Sequence, residues 1–264
     1  MEPDEPRRRL ALLVEYQGTA FGGSQYQKNA PTVQDSLERA LSSLTSEPIR
    51  VALAGRTDAG VHARGHVASF LTASRHPLET FVRGANALLR KDIAVRAAAA
   101  VPPDFDPRRH AAGRWYRYTL YLSPQRPALL RQLVWHLPCP LETEAMSQAA
   151  ALLAGRHDFA AFTRPSEAGR RPTERLVFSA ALTRSGRLAH LDIEANAFLP
   201  HMVRRIMGAL AAVGQGSRSV EDFARMLREA RPGEARHSAP AQGLCLMKVR
   251  YESRLFDDET HEDI

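Results

Sequence analysis

Ile49 to Leu71 reads IRVALAGRTDAGVHARGHVASFL, two apolar runs parted by a short polar reversal. Asp and Gly favour tight reversals, and an Asp carboxylate can accept from backbone two residues on. Gly55–Gly60 (GRTDAG) therefore predicts a turn between strands at Ile49–Ala54 and His66–Leu71. Upstream, Thr32 followed three residues later by Asp35 predicts a capping box. The helix that it opens carries Val33, Leu37, Leu41 and Leu44 on one face. Before it lie a Gly-rich loop, Gly18–Asn29, and a first strand, Leu10–Tyr16 (LALLVEY). Downstream, Pro77 opens a second helix with Leu78, Phe81, Val82, Ala85, Leu88 and Leu89 as its buried stripe. Ile93–Val101 supplies a fourth strand. The order is β-α-β-β-α-β, the split or ferredoxin-like arrangement.

The second half repeats the theme with additions. Arg114–Leu122 (RWYRYTLYL) and Leu133–Leu137 read as strands, and Leu141–Leu153 as a helix with Ala145, Ala149, Leu152 and Leu153 inward. Leu176–Thr183 and Arg187–Glu194 predict a hairpin turning at Ser185-Gly186. Pro200 starts a helix striped by Val203, Ile206, Met207 and Leu210 and ending at Gly214. Ser219 with Asp222 caps another helix, and Gly243–Tyr251 is a last strand. The expected fold class is α+β, in two such halves: residues 1–104, carrying the Asp58 loop, and residues 105–251. Residues 252–264 form an acidic tail expected to be disordered.

A length of 264 residues, at about 150 per domain, suits one large domain or two small ones. An apolar fraction of 44% is enough for a core without disulfide or metal staples. The two cysteines, Cys139 and Cys245, form no C-x-x-C pair. They argue against a disulfide framework or a zinc ribbon and suit a reducing, cytoplasmic setting. No apolar run approaches a membrane span, and the N-terminus MEPDEPRRR resembles no secretory signal.

Charge is uneven. From Glu252 onward six acids face Arg254 alone, a net of −5, which leaves +12 on the rest against a formal total of +7. A basic body suggests a polyanionic partner or, on the blander reading, a solvated surface. The cations are nearly all Arg, the lysines being Lys28, Lys91 and Lys248. Guanidinium forks match phosphates and stack on bases.

Among residues that could carry chemistry, Asp58 beside Arg56 is either a turn-former or an ionised carboxylate held at the mouth of a sheet. Tyr116 and Tyr118 alternate and so share one strand face, as a base-stacking platform or as core. Arg204 and Arg205 flank a buried stripe and point to a cleft or to solvent. His62 and His66 have metal-ligand spacing on a helix, but here they flank a strand start and lack a third ligand, so a metal site is not expected. No dinucleotide fingerprint, phosphate-loop or deaminase pattern occurs.

These segments in order resemble the tRNA pseudouridine synthase A family. Tyr16-x-Gly18-Thr19-x-Phe21-x-Gly23, Thr32-Val33-Gln34 and Gly55–His62 (GRTDAGVH) carry the resemblance, followed by Tyr116-x-Tyr118, Asn196-Ala197-Phe198, Met202-Val203-Arg204 and Gly243-Leu244-x-Leu246. The chain departs from the family at Ser24, where an aromatic residue is common, and at Arg205. The first departure opens the question of how Gly23–Lys28 meets RNA. The resemblance implies an isomerase making pseudouridine at positions 38 to 40 of the tRNA anticodon stem-loop, with no cofactor and no metal. It implies a homodimer, and two α+β halves whose sheets join around a central basic cleft. It assigns catalysis to Asp58, stacking on the flipped uracil to Tyr116, the vacated space or a phosphate to Arg56, and pairing with Asp58 to Arg204. The chief rival is an RNA-binding protein that keeps the fold without the chemistry, which leaves GRTDAGVH unexplained.

Overall fold

Leu10, Ala11, Leu12, Leu13 and Val14 are all buried in the computed structural model, which describes residues 7–170 and 172–256. A strand buried on both faces has no polar side to alternate with, so it reads as an unbroken apolar run. This strand is β1 (Arg8–Tyr16). It is followed by α1 (Val33–Thr45), β2 (Val51–Leu53), β3 (His62–Thr72), α2 (Leu78–Leu88) and β4 (Ile93–Val101). β1 lies between β4 and β3, antiparallel to both, and β2 pairs antiparallel with β3. The chain falls into two compact units, one running to Ala112 and resuming at Leu246, the other Gly113–Cys245.

In the first unit the helices approach closely where Gly84 faces Leu44; a Cβ there would stand 2.6 Å from the leucine side chain. Phe81 of α2 packs on Phe70 of β3, with ring centroids 5.7 Å apart. Leu88, expected in the buried stripe, is instead 53% exposed. The helix ends at that residue and Leu89 leaves it in an extended conformation. The expected capping box at α1 is half made. Thr32 Oγ1 accepts from Asp35 N–H, but the Asp35 carboxylate turns one helical turn onward to Arg39, at 3.1 Å.

The second unit runs β5 (Ala111–Leu122), β6 (Trp135–Leu137), α3 (Thr143–Ala151), β7 (Gly155–Asp158), α4 (Pro165–Ala168), β8 (Glu174–Ser185), β9 (Leu188–Ala195), α5 (Met202–Gly214) and α6 (Val220–Glu229). β10 (Leu244–Tyr251) follows, and its greater part belongs to the first unit, beside β3. The strand order in the second unit is β5-β9-β8-β7, antiparallel, with β6 parallel to β5. The β8–β9 hairpin turns at Gly186, whose φ of +59° is the left-handed value that glycine tolerates. The predicted capping box of α6 is complete, Ser219 and Asp222 each satisfying the other's backbone.

Two expectations change here. α5 begins at Met202, because Pro200 precedes a left-handed His201 (φ 60°) that serves as N-cap. Leu152 is 39% exposed while Leu153 is fully buried; α3 stops at Ala151, so the turn beyond it, not helical periodicity, sets which leucine goes inward. β7 and α4 escaped the sequence reading because four-residue elements are too short to show a period. The class is mixed α+β, with six α-helices among the described residues. Among those residues no helix is long and apolar enough to cross a membrane. Of the acidic stretch expected at 252–264, residues 257–264 lie outside the described residues.

Candidate active site

Between β2 and β3 the chain leaves the sheet as Gly55–Val61, so its peptide groups lack ladder partners and must find others. The Gly-rich loop after β1 supplies several. Gly60 N–H donates to Phe21 O at 3.3 Å, and Ser24 N–H donates to Thr57 O at 3.2 Å. Thr57 N–H donates to Ser24 Oγ at 2.9 Å. Such approach needs bare backbone: a Cβ on Gly18 would stand 1.9 Å from Val61 O, and one on Gly23 2.9 Å from Thr57 O. Gly23 also sits at φ +116°, where side chains are strained.

Beneath the loop is a polar layer closed to water. Tyr16 Oη lies 2.8 Å from Thr57 Oγ1 and 3.0 Å from His66 Nδ1. Gly18 N–H donates to His62 Nδ1 at 2.9 Å. Tyr16, Thr57, His62 and His66 are all buried. The two histidines with metal-like spacing thus have their Nδ1 atoms spoken for by the loop and by a tyrosine. On this floor Asp58 is half-buried and Arg56 is exposed. The Asp58 backbone is fixed as well, its O accepting from Val61 N–H at 3.1 Å.

In the second unit Tyr116 and Tyr118 do share a strand face, but not a depth. Tyr118 is fully buried and donates its Oη to Pro240 O at 2.7 Å. Burial pushes its phenol well above the ordinary value, with the nearby Arg204 charge pulling weakly the other way. It is a core anchor and not half of a stacking platform. Tyr116 is half-buried, and its ring meets Phe198 edge-on, with centroids 5.1 Å apart and planes at 84°. Phe198 is held in place by the preceding turn, where Asn196 Oδ1 accepts from Ala197 N–H at 2.8 Å and Leu176 N–H at 3.1 Å.

Arg204 stands in the first turn of α5. Its Nε donates to Ala239 O at 2.8 Å, and Ala239 N–H returns a bond to Arg204 O at 2.9 Å. Arg205 reaches the same strap, donating to Ala235 O at 2.6 Å. Burial and the charge of Arg164 pull the Arg205 pKa down. The strap from Ala235 to Pro240 is therefore tied to α5 by two arginines and to β5 by Tyr118.

On the other face of β5, Asp192 accepts from Trp115 Nε1 at 2.8 Å and from Arg117 at 2.9 and 3.2 Å. Arg117, placed by alternation opposite the tyrosines, belongs to this polar cluster. Sequence reasoning missed the parts played by Ser24, Tyr16, His62 and His66. Nothing local marks a residue whose partner lies 33 to 50 positions away along the chain.

The model of the tRNA pseudouridine synthase family matches residues 12–108 and 149–252. A tRNA pseudouridine synthase A of Citrifermentans bemidjiense is 46% identical over 248 residues, covering 94% of this chain and 99% of its own length. Those of Syntrophotalea carbinolica and Chloroflexus aurantiacus are each 45% identical, over 242 and 251 residues. Each covers 92% of this chain, and 96% and 89% of its own length respectively.

Proposed function

The chain belongs to the tRNA pseudouridine synthase family, and on that premise we propose how its own residues carry out the reaction. The enzyme is an isomerase that converts uridine in tRNA to pseudouridine. Its target is the anticodon stem-loop, at positions 38 to 40. It works in the cytoplasm as a homodimer.

The reaction breaks the N1–C1′ bond, turns the freed uracil and joins C5 to C1′. C5 loses its proton and N1 gains one, so atoms balance and nothing is oxidised or reduced. Positive charge develops at C1′ as N1 departs, and Asp58 meets it with its carboxylate, as a carboxylate does in glycoside hydrolysis. One carboxylate suffices because no water is added.

The uridine must first leave its stack, at about a few kcal/mol. Arg56, exposed beside Asp58, takes the vacated space or a phosphate. Tyr116, braced edge-on by Phe198, stacks on the flipped uracil. Arg204 is the guanidinium that the family resemblance assigns to the reacting carboxylate. The basic body holds the stem backbone, so affinity falls with rising salt.

The observation that carries this reading is the unbroken GRTDAGVH loop, with Asp58 half-buried on a pinned backbone. The experiment is tritium release from unmodified tRNA labelled at uracil C5. Native protein is compared with Asp58→Asn. We expect release by the native protein and a loss of at least about 10⁴-fold in the variant, the scale seen when a reacting side chain is removed. Release by Asp58→Asn at the native rate would sink the assignment. Tight tRNA binding without release by either protein would favour an RNA-binding protein that has kept only the fold.

A further inference from the structure

We propose that Ser24 is a positioning residue for Asp58, holding the peptide groups on both sides of Thr57 so that the carboxylate of the next residue starts from a fixed place. The proposal rests on the reading of Asp58 as the reacting group. Ser24 and Thr57 exchange two bonds: Ser24 N–H donates to Thr57 O at 3.2 Å, and Thr57 N–H donates to Ser24 Oγ at 2.9 Å. A strand pair exchanges its two bonds through backbone alone. Here the second acceptor is a side chain, because the loop has left the sheet.

The clamp has an anchor. Ser24 O accepts from Gln34 N–H at 2.9 Å, and Gly23 O accepts from Val33 N–H at 3.4 Å, both at the start of α1. The helix thereby holds the serine, and the serine holds the loop. On the other side Tyr16 Oη fixes Thr57 Oγ1 at 2.8 Å. The backbone N–H, the backbone O and the hydroxyl of Thr57 all have partners, which leaves its peptide planes little freedom to rotate. Asp58 follows directly, so any rotation there would swing its carboxylate.

Ser24 is fully buried. Its side chain is therefore turned toward the loop and away from any RNA at the surface. Ser24 is thus placed to affect how the reacting carboxylate is held rather than which base is read. A displacement of about 1 Å at a reacting group can cost about 100-fold in rate, so a lost clamp is visible in turnover.

The test uses full-length protein and the C5-tritiated tRNA transcript, comparing Ser24→Ala, Ser24→Cys and Ser42→Ala. Ser42 Oγ also accepts a backbone N–H, from Ile49 at 2.9 Å, in the same unit but away from the loop. It controls for plain loss of stability. Ser24→Ala is expected to lower kcat about 10- to 100-fold while tRNA affinity stays within about twofold. Ser24→Cys keeps a weaker acceptor of similar size and should recover part of the rate, and it remains informative if the alanine variant folds poorly. Ser42→Ala should lose thermal stability with kcat within about twofold of native.

The proposal is overturned if Ser24→Ala loses no more kcat than Ser42→Ala. It is equally overturned if the loss lies in tRNA affinity, or if Ser24→Cys is no better than Ser24→Ala. An active Asp58→Asn variant would remove the premise itself. An inactive one beside an unaffected Ser24→Ala would remove only the clamp.

Discussion

Asp58 stands on a loop, whereas Tyr116 stands on a strand and Arg204 on a helix. The backbone under Tyr116 is satisfied by the ladder with β9, and that under Arg204 belongs to helical turns. The loop has no such ladder, so the first unit must use side chains in its place. Ser24, Tyr16 and His62 are committed there, and glycines at 18 and 23 let the two loops touch. In the second unit the irregular piece is the strap Ala235–Pro240, tied down by Tyr118, Arg204 and Arg205. Polar side chains do similar work in both places but support different things. Disturbing the first region moves Asp58, the group proposed to react. Disturbing the second loosens a brace and shows first as lost stability.

Gly18→Ala against Gly208→Ala is the hardest test of that contrast, and the largest expected effect. A Cβ at Gly18 would meet Val61 O at 1.9 Å, and one at Gly208 would meet His237 O at 2.3 Å. Both contacts are with backbone, so in each case a segment must shift, at about 1–3 kcal/mol. Gly18→Ala should cut kcat by at least about 100-fold, because the segment that shifts adjoins Asp58. Gly208→Ala should chiefly lower Tm, by about 2–4 °C for each kcal/mol lost. Equal losses of kcat in the two variants, at matched Tm, would break the comparison.

Tyr118→Phe is expected to act at middle scale. It removes the donor to Pro240 O and should cost about 1–2 kcal/mol, read as a lower Tm or urea midpoint. Turnover on labelled tRNA should hold within a few-fold. A large fall in kcat with unchanged stability would mean that Tyr118 acts in the chemistry after all, and would return it to the side of Tyr116.

The smallest effect concerns pH. His190 lies 3.1 Å from Thr119 Oγ1. Burial, and then the charge of Arg117, lower its pKa, with Asp192 opposing. The fold thus prefers the neutral ring, and the unfolded chain, titrating near 6.5, binds more protons in the window between the two values. Its contribution is fully present above about pH 6.5 and is lost as the pH falls toward the folded value. Urea midpoints measured from pH 7.5 to 5 should fall less steeply for His190→Asn than for the native protein. An unchanged slope would place the acid sensitivity elsewhere.

Much of the fold was legible in short-range pattern. LALLVEY announced a first strand, and Ser219 with Asp222 announced a helix start that the structure reproduces in full. The errors fell where elements end. Leu88 and Leu152 obey helical spacing on paper, but Leu88 is the last residue of its helix and Leu152 lies just past the end of its own, and spacing says nothing about the turn that follows. Tyr116 and Tyr118 illustrate a second limit. Alternation puts them on one face, while depth separates a half-buried ring from a buried anchor. Depth depends on what covers the sheet, and strand periodicity does not contain it.

By itself the sequence determined the β-α-β-β-α-β order of the opening region, the turn that carries Asp58 and the resemblance to a family of tRNA-modifying isomerases. These depend on neighbours along the chain: apolar period, capping pairs and an eight-residue motif. Only the tertiary structure decided that Ser24 is buried beneath that turn, that His62 and His66 serve as supports, and that Arg204 and Arg205 tie down a strap. Each of those contacts joins residues more than 25 positions apart. A hydrogen bond depends on distance in space, and folding brings together partners that the sequence keeps far apart.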